Sequence, residues 1–267
     1  MHHFISAAHT DKGIRKSINQ DSVCLCTAAT DSGEIVLAAV CDGMGGLAAG
    51  EHASAIMARE ASMWFEQRLP KLVNHDDLID FFRFQSDFEA VIQHAGKMIR
   101  QSSRGESGTT ISAVLLFDGQ YFTVNVGDSR VYRMTDHLQQ LTKDQSYVQR
   151  EVDAGHMTEE QARNHPRRNV LLQCVGAGDF VIPDFTKGFC QAGDCFLVCS
   201  DGFRHTLKNE EIEDAFYMED VPTDDDLKNI LIRLTDINKA RKEKDNISAI
   251  AVYASDSKPS KEGDPNA

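Results

Sequence analysis

Short apolar runs punctuate the chain: EIVLAAV (34–40), TISAVLLF (110–117), YFTVNV (121–126), RVYR (130–133), CFLVCS (195–200) and ISAIAVY (247–253). They are rich in Val, Ile and Leu and bounded by Gly, Asp or Ser, which predicts strands. Cys24-Leu25-Cys26 lies in another strand-like run. Asp118-Gly119 stands between the second and third runs, and such a step is a strong hairpin signal, so much of the sheet is expected to be antiparallel. Between the first two runs the period lengthens. Ala53, Ile56, Met57, Ala61, Trp64 and Phe65 share one face of a helix expected over 48–68, and Leu78, Phe81, Phe82, Phe88, Ile92, Ala95 and Ile99 share one face of another. Leu227, Ile230, Leu231, Leu234 and Ile237 repeat the pattern before the last strand.

Both long helical faces need a sheet to cover. Helices grouped in sequence and strands grouped in hairpins predict an α+β layered sandwich rather than an alternating βαβ fold. Residues 144–168 are polar, charged and short-helical, and read as an excursion over the surface. The last stretch, SDSKPSKEGDPNA, is small and polar with Pro and Gly, and is expected to be a disordered tail.

Composition narrows the function. A chain of 267 residues with 41% hydrophobic content can bury a core of one large domain or two small ones. No run approaches the roughly 18 apolar residues of a membrane helix, and the N-terminus lacks a signal pattern, so a soluble cytoplasmic protein is expected. A formal charge of −13 argues against nucleic acid or an anionic membrane as partner. Seven cysteines without disulfide rhythm or zinc-ligand spacing read as reduced, and those in the strand-like runs as buried small hydrophobes.

The chemistry gathers around aspartates. In CDGMGGLAAGEH (41–52), Asp42 follows an apolar run and precedes three glycines. Gly43 to Ala48 fits G-x-G-x-x-A, but a dinucleotide fold needs a second strand ending in an acid about 20 residues on, where this chain has a helix. A tight strand-to-helix turn capped by Asp42 is the plainer reading. Four further aspartates, however, occupy strand mouths: Asp21 in NQDS, Asp128 in VGDSR, Asp201 in CSDGF and Asp245 in KDNIS. Carboxylates brought together raise one another's pKa unless a cation neutralises them. With oxygen ligands only, the fitting cations are Mg²⁺ or Mn²⁺. Gly43 could then turn its carbonyl to one ion while Asp42 bridges two, and such a pair activates water for in-line attack at phosphorus.

NQD (19–21), DGMGG (42–46), SGTT (107–110), VGDSRVYR (126–133), LTKDQS (141–146), NVLLQCVG (169–176), LVCSDGF (197–203) and DNISAI (245–250) occur in an order that resembles the metal-dependent protein phosphatases, the type 2C serine/threonine phosphatases in compact bacterial form. The likeness spans roughly residues 8–254. It implies a four-layer α-β-β-α sandwich of two antiparallel sheets with outer helices, a catalytic domain over 1–254 and a flap at about 144–168. It also implies hydrolysis of phosphoserine and phosphothreonine by water activated between two Mn²⁺ or Mg²⁺ ions, without a phospho-enzyme. The substrates would be phosphorylated proteins, opposing a serine/threonine kinase, and the enzyme a monomer. By the same resemblance Asp42 bridges the ions, Gly43 lends its carbonyl to one, and Asp201 and Asp245 complete the other. Asp21 would hold a metal-bound water, and Asp128 a third, weaker ion shared with Asp201.

The family grips the substrate phosphate with an Arg three residues before Asn. Here RKSINQD puts Lys16 in that register and Arg15 one residue upstream, so Arg15 (through a bulge) or Lys16 is expected to bind phosphate. Met44 stands where some relatives carry a general-acid His, which leaves protonation of the leaving group to metal-bound water. His9, His52, His156, His165 and His205 are near no acidic or nucleophilic motif and read as surface or capping residues. SGTT reads as a structural strand-entry turn, and Arg130 as either structural or an ion-pair partner for Asp128. Cysteine chemistry is disfavoured, because CSDGFR has four residues between Cys199 and Arg204 where five are needed. The alternative class is a silent phosphoprotein-binding domain that keeps the fold.

Overall fold

Uninterrupted apolar strands form where both faces of a sheet are covered. The computed structural model describes residues 3–30, 33–45, 49–73, 79–117, 119–218 and 220–256. In chain order its elements are β1 (His3–Asp11), β2 (Asp21–Thr30), β3 (Gly33–Gly45), α1 (Ala49–Gln67), α2 (Phe81–Ser103), β4 (Ser107–Thr109), β5 (Ile111–Phe117), β6 (Gln120–Val126), β7 (Arg130–Met134), β8 (Leu138–Gln140), α3 (Tyr147–Asp153), α4 (Glu159–Arg163), β9 (Asp184–Phe189), β10 (Cys195–Cys199), α5 (Asp201–Arg204), α6 (Asn209–Phe216), α7 (Asp224–Ala240) and β11 (Ile247–Ser255). One sheet runs β1-β11-β10-β7-β8 and the other β2-β3-β5-β6-β9, with β4 added to β3. Every strand pair is antiparallel.

The period of two in β3 shows how the layers arise. Val36, Ala38 and Val40 meet Val198, Ile250 and Val252 of the facing sheet in a central core. Ile35, Leu37, Ala39 and Cys41 point the other way, to a core shared with α1 and α2. A third core joins the outer face of the first sheet to α5, α6 and α7 through Leu197, Ala251, Phe203, Leu231 and Leu234. The result is the α-β-β-α sandwich expected from the sequence.

Local signals set the helix ends. Asp80 caps α2 by accepting from the Arg83 N–H, so the helix begins at Phe81, and Leu78 falls outside the described residues. Phe84 rather than Phe82 takes the inward position, with Phe82 72% exposed. Trp64 meets Phe84 and Phe88 edge-on at 5.6 and 4.8 Å, joining α1 to α2. Residues 144–168 carry the two short helices α3 and α4, as their composition suggests. The β5–β6 hairpin forms with Phe117 opposite Gln120 and Gly119 at φ +69°; Asp118 lies outside the described residues, as do residues 257–267 of the expected tail. Among the described residues no helix is long and apolar enough to cross a membrane.

Strands β1, β8 and β9 are not legible from periodicity. Each is a sheet edge, and β9 (DFTKGF) keeps no buried residue. The buried aromatic cluster is the most sensitive part of the helix-facing core. Phe88→Ala should lower the unfolding free energy by about 3–5 kcal/mol, read by urea titration of the fluorescence of Trp64, the only tryptophan. A loss under 1 kcal/mol would contradict this packing.

Candidate metal centre

Strand ends from both sheets bring the aspartates together. Asp21 opens β2 and sits opposite Asp42 in the β2–β3 register. Past Asp42, β3 leaves β5 and pairs with β4, Gly43 opposite Thr109. The Asp42 carbonyl accepts from the Thr110 N–H (2.9 Å) and the Thr109 hydroxyl (3.0 Å), while the Asp42 N–H donates to Thr110 Oγ1 (2.9 Å). SGTT therefore fixes the peptide that carries Asp42. A Cβ on Gly43 would lie 2.1 Å from the Gly50 carbonyl oxygen and 2.5 Å from that of Gln20. Glycine is required there because the first turn of α1 and the Gln20 segment press on the strand.

Asp201 is the first residue of α5, directly after β10, and Asp245 precedes β11. Gly202 lets these segments meet, since a Cβ would lie 2.1 Å from the Asn246 carbonyl oxygen. Asn246 accepts from the Gln20 N–H (2.9 Å) and donates to the carbonyls of Lys12 (2.9 Å) and Ile18 (3.2 Å), fastening the loop before β2. Asp42, Asp128, Asp201 and Asp245 line one cavity of about 210 Å³ with Gly43 and Lys16. Asp21 is buried and accepts from Ser200 Oγ (3.0 Å). Its other oxygen, and Oδ1 of Asp201, are buried without a hydrogen-bond partner.

Burial, and then the neighbouring carboxylates, hold Asp42 well above the usual carboxylate range. Burial pushes Asp21 and Asp128 up to about 7, with Asp201 adding to both. Burial and then Asp245 raise Asp201, with Arg204 and Arg168 opposing. The described cavity lining holds no His or Cys. Among the described residues no three His, Cys, Asp or Glu side chains converge enough to form a metal group by themselves. Spread carboxylates with two orphaned oxygens suit Mg²⁺ or Mn²⁺, which keep several waters and take few protein ligands each.

Lys16 Nζ lies 2.7 Å from Asp245 Oδ1, whereas Arg15 is exposed and does not line the cavity. Met44 does line it. Arg130, at the start of β7, takes the structural role rather than the ion pair with Asp128: it donates to both oxygens of Asp144 (2.7 and 2.9 Å), which follows β8. His205 also departs from expectation. Its Nδ1 is 2.7 Å from Glu243 Oε2, and Glu243 Oε1 accepts from the backbone N–H of Asp245 (3.1 Å). The pair ties the end of α5 to the loop carrying Asp245, and 38 residues of separation hid it from any local pattern.

A family profile described as Protein phosphatase 2C matches residues 8–249. The chain belongs to the protein phosphatase 2C family. It is 33% identical over 221 residues to the serine/threonine protein phosphatase PstP of Mycobacterium tuberculosis, across 80% of this chain and 39% of that one. The chain thus matches about two fifths of the length of that relative. The structure of the S. agalactiae serine/threonine phosphatase is 30% identical with a TM-score of 0.79, covering 94% of this chain and 99% of that one. The PstP catalytic domain solved in complex with two manganese ions is 28% identical with a TM-score of 0.76, covering 96% of this chain and 100% of that one.

A carboxyl group whose folded pKa is raised keeps its proton where the unfolded chain has lost it, so stability falls as pH rises through the folded pKa. Glu211 and Glu243, held down at about 2, contribute fully above pH 5 and do not mask this. With chelator present, Tm should fall between pH 5 and pH 7.5, and added Mn²⁺ should restore it at the higher pH. A Tm that rises over that window without metal would contradict the clustering.

Proposed function

We propose that the protein is a serine/threonine protein phosphatase that hydrolyses phosphoserine and phosphothreonine in proteins at the aspartate-lined cavity. The carrying observation is that Asp42, Asp128, Asp201 and Asp245 line one cavity, with a buried oxygen of Asp201 and one of the neighbouring Asp21 unpartnered. Asp42, Gly43, Asp201 and Asp245 would hold two Mn²⁺ or Mg²⁺ ions, and Asp128 with Asp201 a third. Bound there, such ions supply the charge that activates a water and stabilises the phosphoryl oxygens. Asp42, its backbone fixed by Thr109 and Thr110, would hold the ions from the end of β3. Asp21, anchored by Ser200, would orient water bound to an ion.

Lys16 faces the cavity and supplies the cation for the substrate phosphate, as a point charge rather than a guanidinium fork. A thiolate route has no support. Cys199 is fully buried and its thiol is pushed up to about 12, chiefly by burial. We read residues 1–254 as the catalytic domain, with 144–168 as its flap. Its substrates are phosphoproteins made by an opposing serine/threonine kinase, and it acts as a cytoplasmic monomer.

Hydrolysis of a phosphothreonine peptide should require Mn²⁺ or Mg²⁺ and stop with EDTA. Asp42→Asn should reduce turnover by about a hundredfold or more, because several kcal/mol of transition-state stabilisation go with the ions. Turnover that persists in EDTA, or in a folded Asp42→Asn variant, would overturn the reading. Lys16→Ala should raise KM for p-nitrophenyl phosphate roughly tenfold, the scale of a charge-assisted hydrogen bond. Arg15→Ala should leave KM within twofold; the reverse order would reassign the phosphate contact to Arg15.

A further inference from the structure

Beside the metal centre, and sharing Asp128 and Asp201 with it, lies a second cavity of about 430 Å³ beneath α3 and α4. Its lining mixes the guanidinium groups of Arg130, Arg163, Arg168 and Arg204 with five carboxylates. Asp144, with only 7% of its side chain exposed, accepts from Arg130 through two bonds (2.7 and 2.9 Å) and from Arg204 (3.2 Å). Two cations thus share one carboxylate. The same Arg204 Nη2 donates to the Asp128 carbonyl (2.8 Å), yet Arg204 Nε–H is buried without an acceptor. Arg168 adds a third guanidinium, 4.0 Å from Asp201 Oδ2. The carboxylates of Asp128 and Asp201 on the inner wall are committed to the neighbouring centre. Glu159 and Glu160 also line the cavity but are exposed, where solvent and salt screen them.

A buried donor without a partner costs free energy until an acceptor arrives, and a guanidinium fork suits a planar carboxylate or a phosphate. We propose that this cavity receives an anionic side chain of the substrate, a carboxylate or a second phosphate flanking the phosphorylated residue, with Arg204 as its principal donor. The protein would then prefer acidic or multiply phosphorylated segments, although its own charge is −13. The inference rests on the phosphatase reading for the nature of its ligand. The two cavities share Asp128 and Asp201 in their walls, so one extended peptide would reach both. Arg204 lies at the end of α5, whose first residue is Asp201, which fixes the spacing between the two positions.

The test uses the full chain with Mn²⁺ and fluorescent peptides bearing a non-hydrolysable phosphonate analogue of phosphothreonine. Each flanking position in turn carries Ala, Glu or phosphoserine, and Kd is read by anisotropy. At one or more positions, Glu or phosphoserine should bind about tenfold more tightly than Ala, the order of a charge-assisted hydrogen bond. Preference for both assigns an acidic side chain, and preference for phosphoserine alone assigns a second phosphate. In Arg204→Gln the anionic-to-neutral ratio should fall to twofold or less, while Arg204→Lys retains part of it. A merely structural role would weaken all peptides alike and leave the ratio intact. Equal Kd values across the panel in the wild-type protein, or an undiminished ratio in Arg204→Gln, would overturn the subsite. Selective binding without hydrolysis of the parent phosphopeptide would keep the subsite and remove the phosphatase reading; hydrolysis without selectivity would do the opposite.

Discussion

Gathering several carboxyl groups in a place that water barely reaches is unfavourable twice over, through lost hydration and through repulsion between like charges. Burial first, and then one another's charge, raise the pKa of Asp21, Asp42, Asp128 and Asp201. Among the described residues, Lys16 sits directly against Asp245, and Arg168 stands 4.0 Å from Asp201. The arrangement makes physical sense as a site that hard cations complete. The chain's place in the protein phosphatase 2C family agrees with that sense.

Much of the surrounding structure serves to hold this unfavourable cluster in place. Three regular cores make the two sheets rigid, and the aspartates stand where strands end, so their positions inherit that rigidity. The irregular segments are then pinned individually: Thr109 and Thr110 hold the Asp42 peptide, Asn246 holds the loop before β2, and Glu243 with His205 holds the peptide of Asp245. Gly43 and Gly202 are the points where two backbones touch. Neutral donors do most of this fastening, which leaves the carboxylate oxygens available.

The central strands and long helices were legible because β3, β5, β10 and β11 are apolar on both faces and α1 and α2 repeat at helical spacing. The aspartates were legible because each stands at or near the end of a strand-like run. What stayed hidden is relational. The edge strand β9 buries nothing and so has no period to read. Sequence left Arg130 either structural or paired with Asp128 two residues away, and its partner, Asp144, comes from beyond the next strand. Gly43 looked like a metal-facing carbonyl, and the structure adds that any side chain there would strike Gly50 and Gln20. Likewise Lys16 and Arg15 are adjacent in sequence, and only the fold turns one inward.

The most direct measurement is anomalous diffraction from a crystal grown with manganese, collected at the metal's absorption edge. The account predicts two strong peaks within the cavity, bounded by the carboxylates of Asp42, Asp201 and Asp245. Refinement should place Asp42 against both of them. A well-ordered map at saturating manganese with no peak among those three side chains would contradict it.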